Sequence, residues 1–369
     1  MFSRVIALTI KELLALLKDP RSRFVVVGPP IIQALVFGYA ATFDLNNVRY
    51  AIYDEDRSIA SRELQARFRG SRNFREIATL DHAGDIAPLV DARRALLVVH
   101  IPETFSRDLM AGRQAALQLI VDGRNSNTAL VALNYARNIV TTFSQDWRRR
   151  QAGADPPAQV IARAWFNPNL ETRWFITSGL VGLLTLVVTM LVTSLSVARE
   201  REQGTFDQLL VTPLNPVEIL LGKSLPGFLI GFAEATMMIG IVVFWFEVPL
   251  RGHLMILYAS LGVYLLSAIG VGLMISSLSV TMQQGLLGAF LFLVPAILLS
   301  GFATPIRNMP EIVQTLTLVN PLRYFMIVVR GVFLEDMPAD LLWSQLWPMA
   351  IIGAATLTAA AWLFRRRLT

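Results

Sequence analysis

Apolar residues run along this chain in long blocks separated by polar ones. Six blocks approach or exceed the roughly 18–20 residues that cross a hydrocarbon core: 24–43, 174–197, 225–246, 254–277, 283–301 and 346–364. They predict a polytopic α-helical membrane protein with six transmembrane helices. The first block follows a 23-residue leader. At about 20 apolar residues it exceeds the core of a signal peptide, so a retained anchor is expected, with Pro29 and Pro30 in its first turns. Within residues 1–23, Val5, Leu8, Glu12 and Leu16 mix with Ile6, Ile10, Leu13, Leu14 and Leu17 at helical spacing, with Lys11 and Lys18 on the polar side. That pattern predicts a helix lying in the membrane interface, ended by Asp19-Pro20.

Residues 44–170 form the longest polar block and alternate two periodicities. Val48–Tyr53, Phe74–Thr79, Ala95–Ile101 and Ala115–Val121 read as strands. Ser58–Phe68, Ala83–Ala92, Thr104–Ala111 and Ser126–Arg149 read as helices. Strands alternating with helices predict an inserted α/β domain. Asp54-Glu55-Asp56 is a candidate metal site. It is also a candidate helix cap neutralised by Arg57 and Arg62. No nucleophile–base constellation is present, so binding or docking is expected here instead of catalysis.

Charge adds orientation. The chain has 369 residues, 54% hydrophobic and 16% charged, with mean hydropathy +0.51 and net charge +6. Basic residues flank the membrane blocks (Arg4, Lys11, Lys18, Arg21 and Arg23 at one end, Arg365, Arg366 and Arg367 at the other), which explains the positive balance without a nucleic acid partner. By the positive-inside rule both termini are cytoplasmic, which six spans satisfy. Residues 44–170 are then extracytoplasmic, residues 199–223 cytoplasmic, and 365–369 a cytoplasmic tail. There are no cysteines, which excludes disulfides and thiolate chemistry. His82, His100 and His253 are too dispersed to pair as metal ligands. The scarcity of lysine relative to arginine reads as base composition.

The charged island Arg199–Lys223 separates two apolar runs. Gly204 breaks the preceding helix, and Thr205-x-x-Gln208 reads as a capping box that starts a short helix. Thr212-Pro213 ends that helix, and Asn215-Pro216 opens the next. The short helix would expose Glu200, Glu202, Asp207 and Gln208 and press Leu209 and Leu210 inward. It could be a handle moved by a partner, or a passive connection with the same pattern. Gly222-Lys223-Ser224 looks like the end of a phosphate-binding loop, but Val217 stands where that loop needs its first glycine.

The string Glu200-Arg201-Glu202-Gln203-Gly204-Thr205-Phe206-Asp207-Gln208-Leu209 through Thr212-Pro213 resembles the coupling-helix motif of ABC-2 type transporter permeases. Leu298–Pro305, Met309-Pro310, Asn320-Pro321 and Arg330-Gly331 are similar to that family's pattern after its fifth span. Asp122–Ala129 resembles the subfamily with a large extracytoplasmic domain between spans one and two. Lys11-Glu12 and Lys18-Asp19-Pro20 fit as well. The resemblance implies a bacterial inner-membrane export permease, dimeric with a second copy or a paralogue. It implies a separate cytoplasmic ABC ATPase that binds ATP and Mg, and a periplasmic adaptor protein. It assigns ATPase coupling to Glu200, Glu202, Gly204, Thr205, Asp207, Gln208, Leu209, Thr212 and Pro213, with no cofactor, metal or catalytic residue in this chain.

Glu234 lies in the third block, where a carboxylate is costly. It is expected either on the transport path, with Gln33 a milder case, or in a hydrogen bond to a serine or threonine of a neighbouring span. Thr185, Thr189, Thr193 and Ser196, with Gly262, Gly270 and Gly272, read as helix-packing surfaces. Residues 305–342, segmented by Pro305, Pro310, Pro321 and Pro338, predict two short helices dipping into the outer leaflet. The expected function is outward movement of an amphiphile or lipid. The rivals are an ion-coupled secondary transporter using Glu234 and a membrane-anchored sensor or scaffold.

Overall fold

Among the described residues, four helices are long and apolar enough to cross a membrane: Thr172–Glu202, Val217–Trp245, Leu254–Leu278 and Ala339–Arg366. They belong to a computed structural model that describes residues 2–18, 20–40, 45, 47–152, 165–167, 171–205 and 215–366. The chain divides into two compact units, residues 43–163 and the segments on either side of them.

The helical unit comprises α1 (Phe2–Lys18), α2 (Pro20–Ala40), α7 (Thr172–Ser194), α8 (Ser196–Glu202), α9 (Pro216–Gly240), α10 (Leu254–Leu278), α11 (Met282–Leu298), α12 (Glu311–Leu316), α13 (Pro321–Arg330) and α14 (Ala339–Arg366). The first and fifth expected spans fall on shorter apolar helices, Val26–Tyr39 and Met282–Leu298. A turn at Ser300-Gly301, where Gly301 has φ +82°, follows α11. Glu311–Val319 and Pro321–Glu335 are bent by 86°, and count as a fifth candidate if taken as one broken span.

Helix α7 is central: 72% of its most apolar stretch is buried within the chain, against 17% for α14. Small residues let neighbours close on it. A Cβ at Gly231 of α9 would lie 2.5 Å from Thr189 Oγ1, and one at Gly272 of α10 would lie 1.9 Å from Thr193 Oγ1. The glycine–threonine seams are thus packing surfaces, as small residues are where backbones approach in a membrane. Gly262 has only Phe228 at 3.9 Å and makes no such close approach.

α1 uses two faces. Val5, Leu8, Thr9 and Leu16 are buried, whereas Phe2, Ile6, Ile10, Leu14 and Leu17 are exposed. The first set packs α1 onto the unit, and the second leaves an apolar stripe along the outside.

The second unit holds β1 (Val48–Asp54), α3 (Ile59–Arg69), β2 (Phe74–Leu80), α4 (Ile86–Asp91), β3 (Leu97–Ile101), α5 (Phe105–Met110), β4 (Gln118–Val121) and α6 (Ser126–Ala152). The strand order is β2-β1-β3-β4, with β1 parallel to β2 and β3, and β4 antiparallel to β3. Tyr50, Ile52, Leu97 and Val99 face α3, α5 and α6. Ala51, Tyr53 and Val98 face Leu89 and its neighbours. Helices on both faces explain why β1 and β3 read as nearly continuous apolar runs. Arg124 joins the β4–α6 turn to the end of α4, donating to Asp122 at 2.7 and 2.8 Å and to the Val90 carbonyl at 2.6 Å.

Of the three acidic residues after β1, Asp54 accepts from Ser61 Oγ at 2.8 Å and Gln65 Nε2 at 2.6 Å, which fixes the start of α3. Glu55 accepts from Tyr53 at 2.7 Å and faces His100 at 3.0 Å. Asp56 accepts from the amide and hydroxyl of Ser106. Each carboxylate is committed to a different neighbour, and no cluster of three possible metal ligands occurs among the described residues.

Candidate functional site

The chain between α7 and α9 is held by a polar junction. At Leu195 the α7 helix breaks, and the freed amides of Val197 and Ala198 donate to Ser276 Oγ of α10 at 2.9 and 3.2 Å. α8 then directs three consecutive charges to four neighbouring helices. Glu200 meets Lys11 of α1 at 3.1 Å and Lys223 of α9 at 2.6 Å. Arg201 donates to the carbonyls of Ser277 and Ser279 at 2.9 and 3.0 Å, at the end of α10. Glu202 accepts the Met282 amide at 2.6 Å, at the start of α11. A cation at a helix C-terminus and an anion at a helix N-terminus both complement the helix dipoles.

Lys223 organises the buried part. Its side chain is 1% exposed, against 7% for Glu200 and 12% for Glu12. Its aligned hydrogen bond goes to Glu12 Oε1 at 3.1 Å, while its closer approach to Glu200 is an ionic contact without hydrogen-bond alignment. Lys11, 58% exposed, completes a balanced set of two cations and two anions. Charges this buried persist only when paired. Glu200, expected on an exposed face, is therefore buried, because α1 and α9 both bring a lysine to it. Beside it, a Cβ on Gly222 would come within 2.5 Å of Leu8. Gly222-Lys223 thus seats α1 and pairs its carboxylate, and neither residue is available to cradle a phosphate.

The end of α8 is a Schellman turn. Gly204 has φ +69°, the Thr205 amide donates to the Glu200 carbonyl at 3.0 Å, and the Gly204 amide donates to the Arg201 carbonyl at 3.1 Å. A left-handed glycine followed by this pair of bonds closes a helix. The Thr205 hydroxyl also donates to the Glu200 carbonyl, at 3.3 Å. Thr205 thus completes the preceding helix; the capping box expected over Thr205-x-x-Gln208 reaches outside the described residues. Asp207, Gln208, Leu209, Thr212 and Pro213 lie outside the described residues. Glu202 is exposed, as the sequence suggested. On the far side, Asn215 and Glu218 form a capping box at the start of α9, with the Asn215 amide donating to Glu218 Oε2 at 2.8 Å.

Glu234 sits apart from this junction, between α9 and α7. It is 4% exposed and accepts from Thr185 Oγ1 at 2.7 Å. Its other oxygen is buried with no partner among the described residues, as is Thr189 Oγ1. Gln33 is exposed on α2.

Lys223, Glu12, Lys11, Arg201 and Ser276 were not singled out as site residues from the sequence. One signal was there: the chain has only three lysines, and two of them meet at Glu200. A compact ammonium fits a buried carboxylate pair differently from a forked guanidinium, so lysine usage here has a structural reason beyond base composition.

The profile of the family described as ABC-2 family transporter protein matches residues 21–362. The chain is 42% identical over 370 residues to the probable multidrug ABC transporter permease YbhR of Escherichia coli (strain K12), covering 100% of both chains. It is 32% identical to the probable multidrug ABC transporter permease YbhS of the same organism, over 99% of this chain and 97% of that one. The inner membrane transport permease YhhJ, also from that strain, is 28% identical over 98% of this chain and 96% of its own.

Proposed function

The chain belongs to the ABC-2 family of transporter proteins, and from that premise we propose that it is the membrane-spanning permease subunit of an ATP-driven exporter. The observation that carries the reading is the junction at Glu200, Arg201 and Glu202. Three adjacent side chains tie the start of segment 206–214 to α1, α9, α10 and α11. A push on that segment reaches four helices through charge-assisted bonds, the stronger kind. In this reading a separate cytoplasmic ABC ATPase, holding ATP and Mg, engages the segment. Glu202 and the residues Asp207, Gln208, Leu209, Thr212 and Pro213 supply the contact surface. Glu200 acts behind it, as the link to the membrane helices.

The remaining assignments follow the same reading. Six spans, with α2 and α11 included, place both termini in the cytoplasm and residues 44–170 outside the inner membrane. Two copies, or this chain with a paralogue, enclose the path, and a periplasmic adaptor meets the outer unit. The cargo in this reading is an amphiphile moved outward; two relatives are named as multidrug ABC transporter permeases.

Purification in mild detergent tests the proposal. A cytoplasmic ATPase should accompany the intact protein. Alanine at Glu202 or Leu209 should reduce ATP-dependent efflux at least tenfold while leaving the protein in the membrane. An isolated chain that transports in vesicles without any ATPase, with both alanine variants fully active, would instead favour ion coupling through Glu234, whose partnerless oxygen is the observation on that side.

A further inference from the structure

The α/β unit contains a cavity that neither its sheet nor the family assignment accounts for. It lies between α5, the segment 112–117 and the C-terminal half of α6, with a volume of about 380 Å³. That is within the range of small-molecule sites. Phe105, Phe143 and Trp147 line it, with Phe105 and Phe143 stacked at 6.2 Å and Phe143 and Trp147 tilted by 33° at 5.8 Å.

The aromatic wall is held from behind. Arg67 lies over the Phe143 ring at 5.5 Å and Arg150 over the Trp147 ring at 5.4 Å. Both arginines are anchored on Glu63, at 3.2 and 2.5 Å. These contacts make the wall a preformed surface whose shape does not depend on an occupant.

Charge at the rim points to the occupant. The rim is cationic. Arg113, which lines the cavity, is fixed on one side by Asp108 at 2.7 Å, and its other terminal nitrogen has no partner among the described residues. Arg148, also lining the cavity, is exposed and has no ion pair among them.

We propose that this cavity binds a small amphipathic carboxylate. Its apolar or aromatic body lies on Phe105, Phe143 and Trp147, and its acid group is held by Arg113 and Arg148. The apolar wall contributes by burial and stacking, and the guanidinium groups favour a planar carboxylate over a neutral amide of the same shape.

The test uses the full-length protein in lipid nanodiscs and a benzoate carrying a photoreactive trifluoromethyl diazirine. Cross-linked peptides are mapped by mass spectrometry. Saturable labelling should concentrate in residues 105–117 and 140–151, be competed by 4-tert-butylbenzoate, and be about tenfold weaker for the matching benzamide. Arg113→Gln combined with Arg148→Gln should lower it about tenfold while leaving the cavity open. Ala115→Trp should abolish it by filling the cavity while leaving the charges in place. The two variants perturb charge and shape separately, so a folding defect in one leaves the other to decide. Equal labelling by the benzamide, or labelling unchanged in the variant that folds, overturns the proposal.

Discussion

Replacing Lys223 with methionine removes the central cation of the junction and keeps the length and apolar bulk of the side chain. Glu12 and Glu200 are then left at 12% and 7% exposure, with Lys11, itself largely in solvent, the remaining nearby cation. Breaking a buried pair by removing one member costs about 3–5 kcal/mol. Lys11 offsets part of this, so the lower end, about 3 kcal/mol, is expected. Glu200→Gln should cost a similar amount by stranding Lys223 against Glu12 alone. The double variant removes one charge of each sign and should cost well under the sum, giving a coupling energy of about 2 kcal/mol in a double-mutant cycle. Stability is measured by reversible titration of the detergent-solubilised protein with sodium dodecyl sulfate, followed by tryptophan fluorescence. Single variants within about 0.5 kcal/mol of the parent, or a double variant equal to the sum, would refute the claim that these charges act as one buried network.

Gly272→Ala should destabilise the helical unit by about 1–3 kcal/mol through overpacking against Thr193, and Thr193→Ala should recover part of that loss; the same detergent titration reads both. Thr185→Val removes the hydroxyl that donates to Glu234 and should cost about 1–3 kcal/mol, whereas Glu234→Gln, which can still accept that bond, should cost less. In the α/β unit, His100 beside Glu55, Arg150 beside Glu63, Arg69 beside Glu76, Arg113 beside Asp108 and Arg124 beside Asp122 hold these carboxyls below the usual range. A depressed folded-state pKa stabilises above the unfolded value and is lost as pH falls through the folded one. Amide protection of this unit, corrected for intrinsic exchange, should therefore be flat from about pH 7 to 5 and decline below about pH 4; a decline already complete at pH 5 would contradict the assignment.

Some of this was legible in the sequence and some was not, for physical reasons. The strands lie where apolar β-branched runs placed them, because burial on both faces leaves a strong local signature. The start of β4 at Gln118, later than the apolar run beginning at Ala115, shows that composition marks a strand better than it marks its ends. The threonine donor to Glu234 was one of two readings the sequence left open, and the structure supplies its partner as Thr185. The junction was not legible. Glu200 and Lys223 are far apart along the chain, and Lys223 and Glu12 are separated by 211 positions, so no periodicity connects them.

The contrast between α7 and α14 bears on how the family can vary. A position on α7 faces several neighbours at once, so a change in volume there must be answered by changes on other helices. Such positions can only drift in concert, and swapped α7 segments between relatives should fail unless their glycine and threonine partners travel with them. On the outward side of α14 the requirement is for oiliness alone. There the sequence is free to wander among leucine, isoleucine, alanine and tryptophan, and it is where natural variation within this architecture should accumulate first.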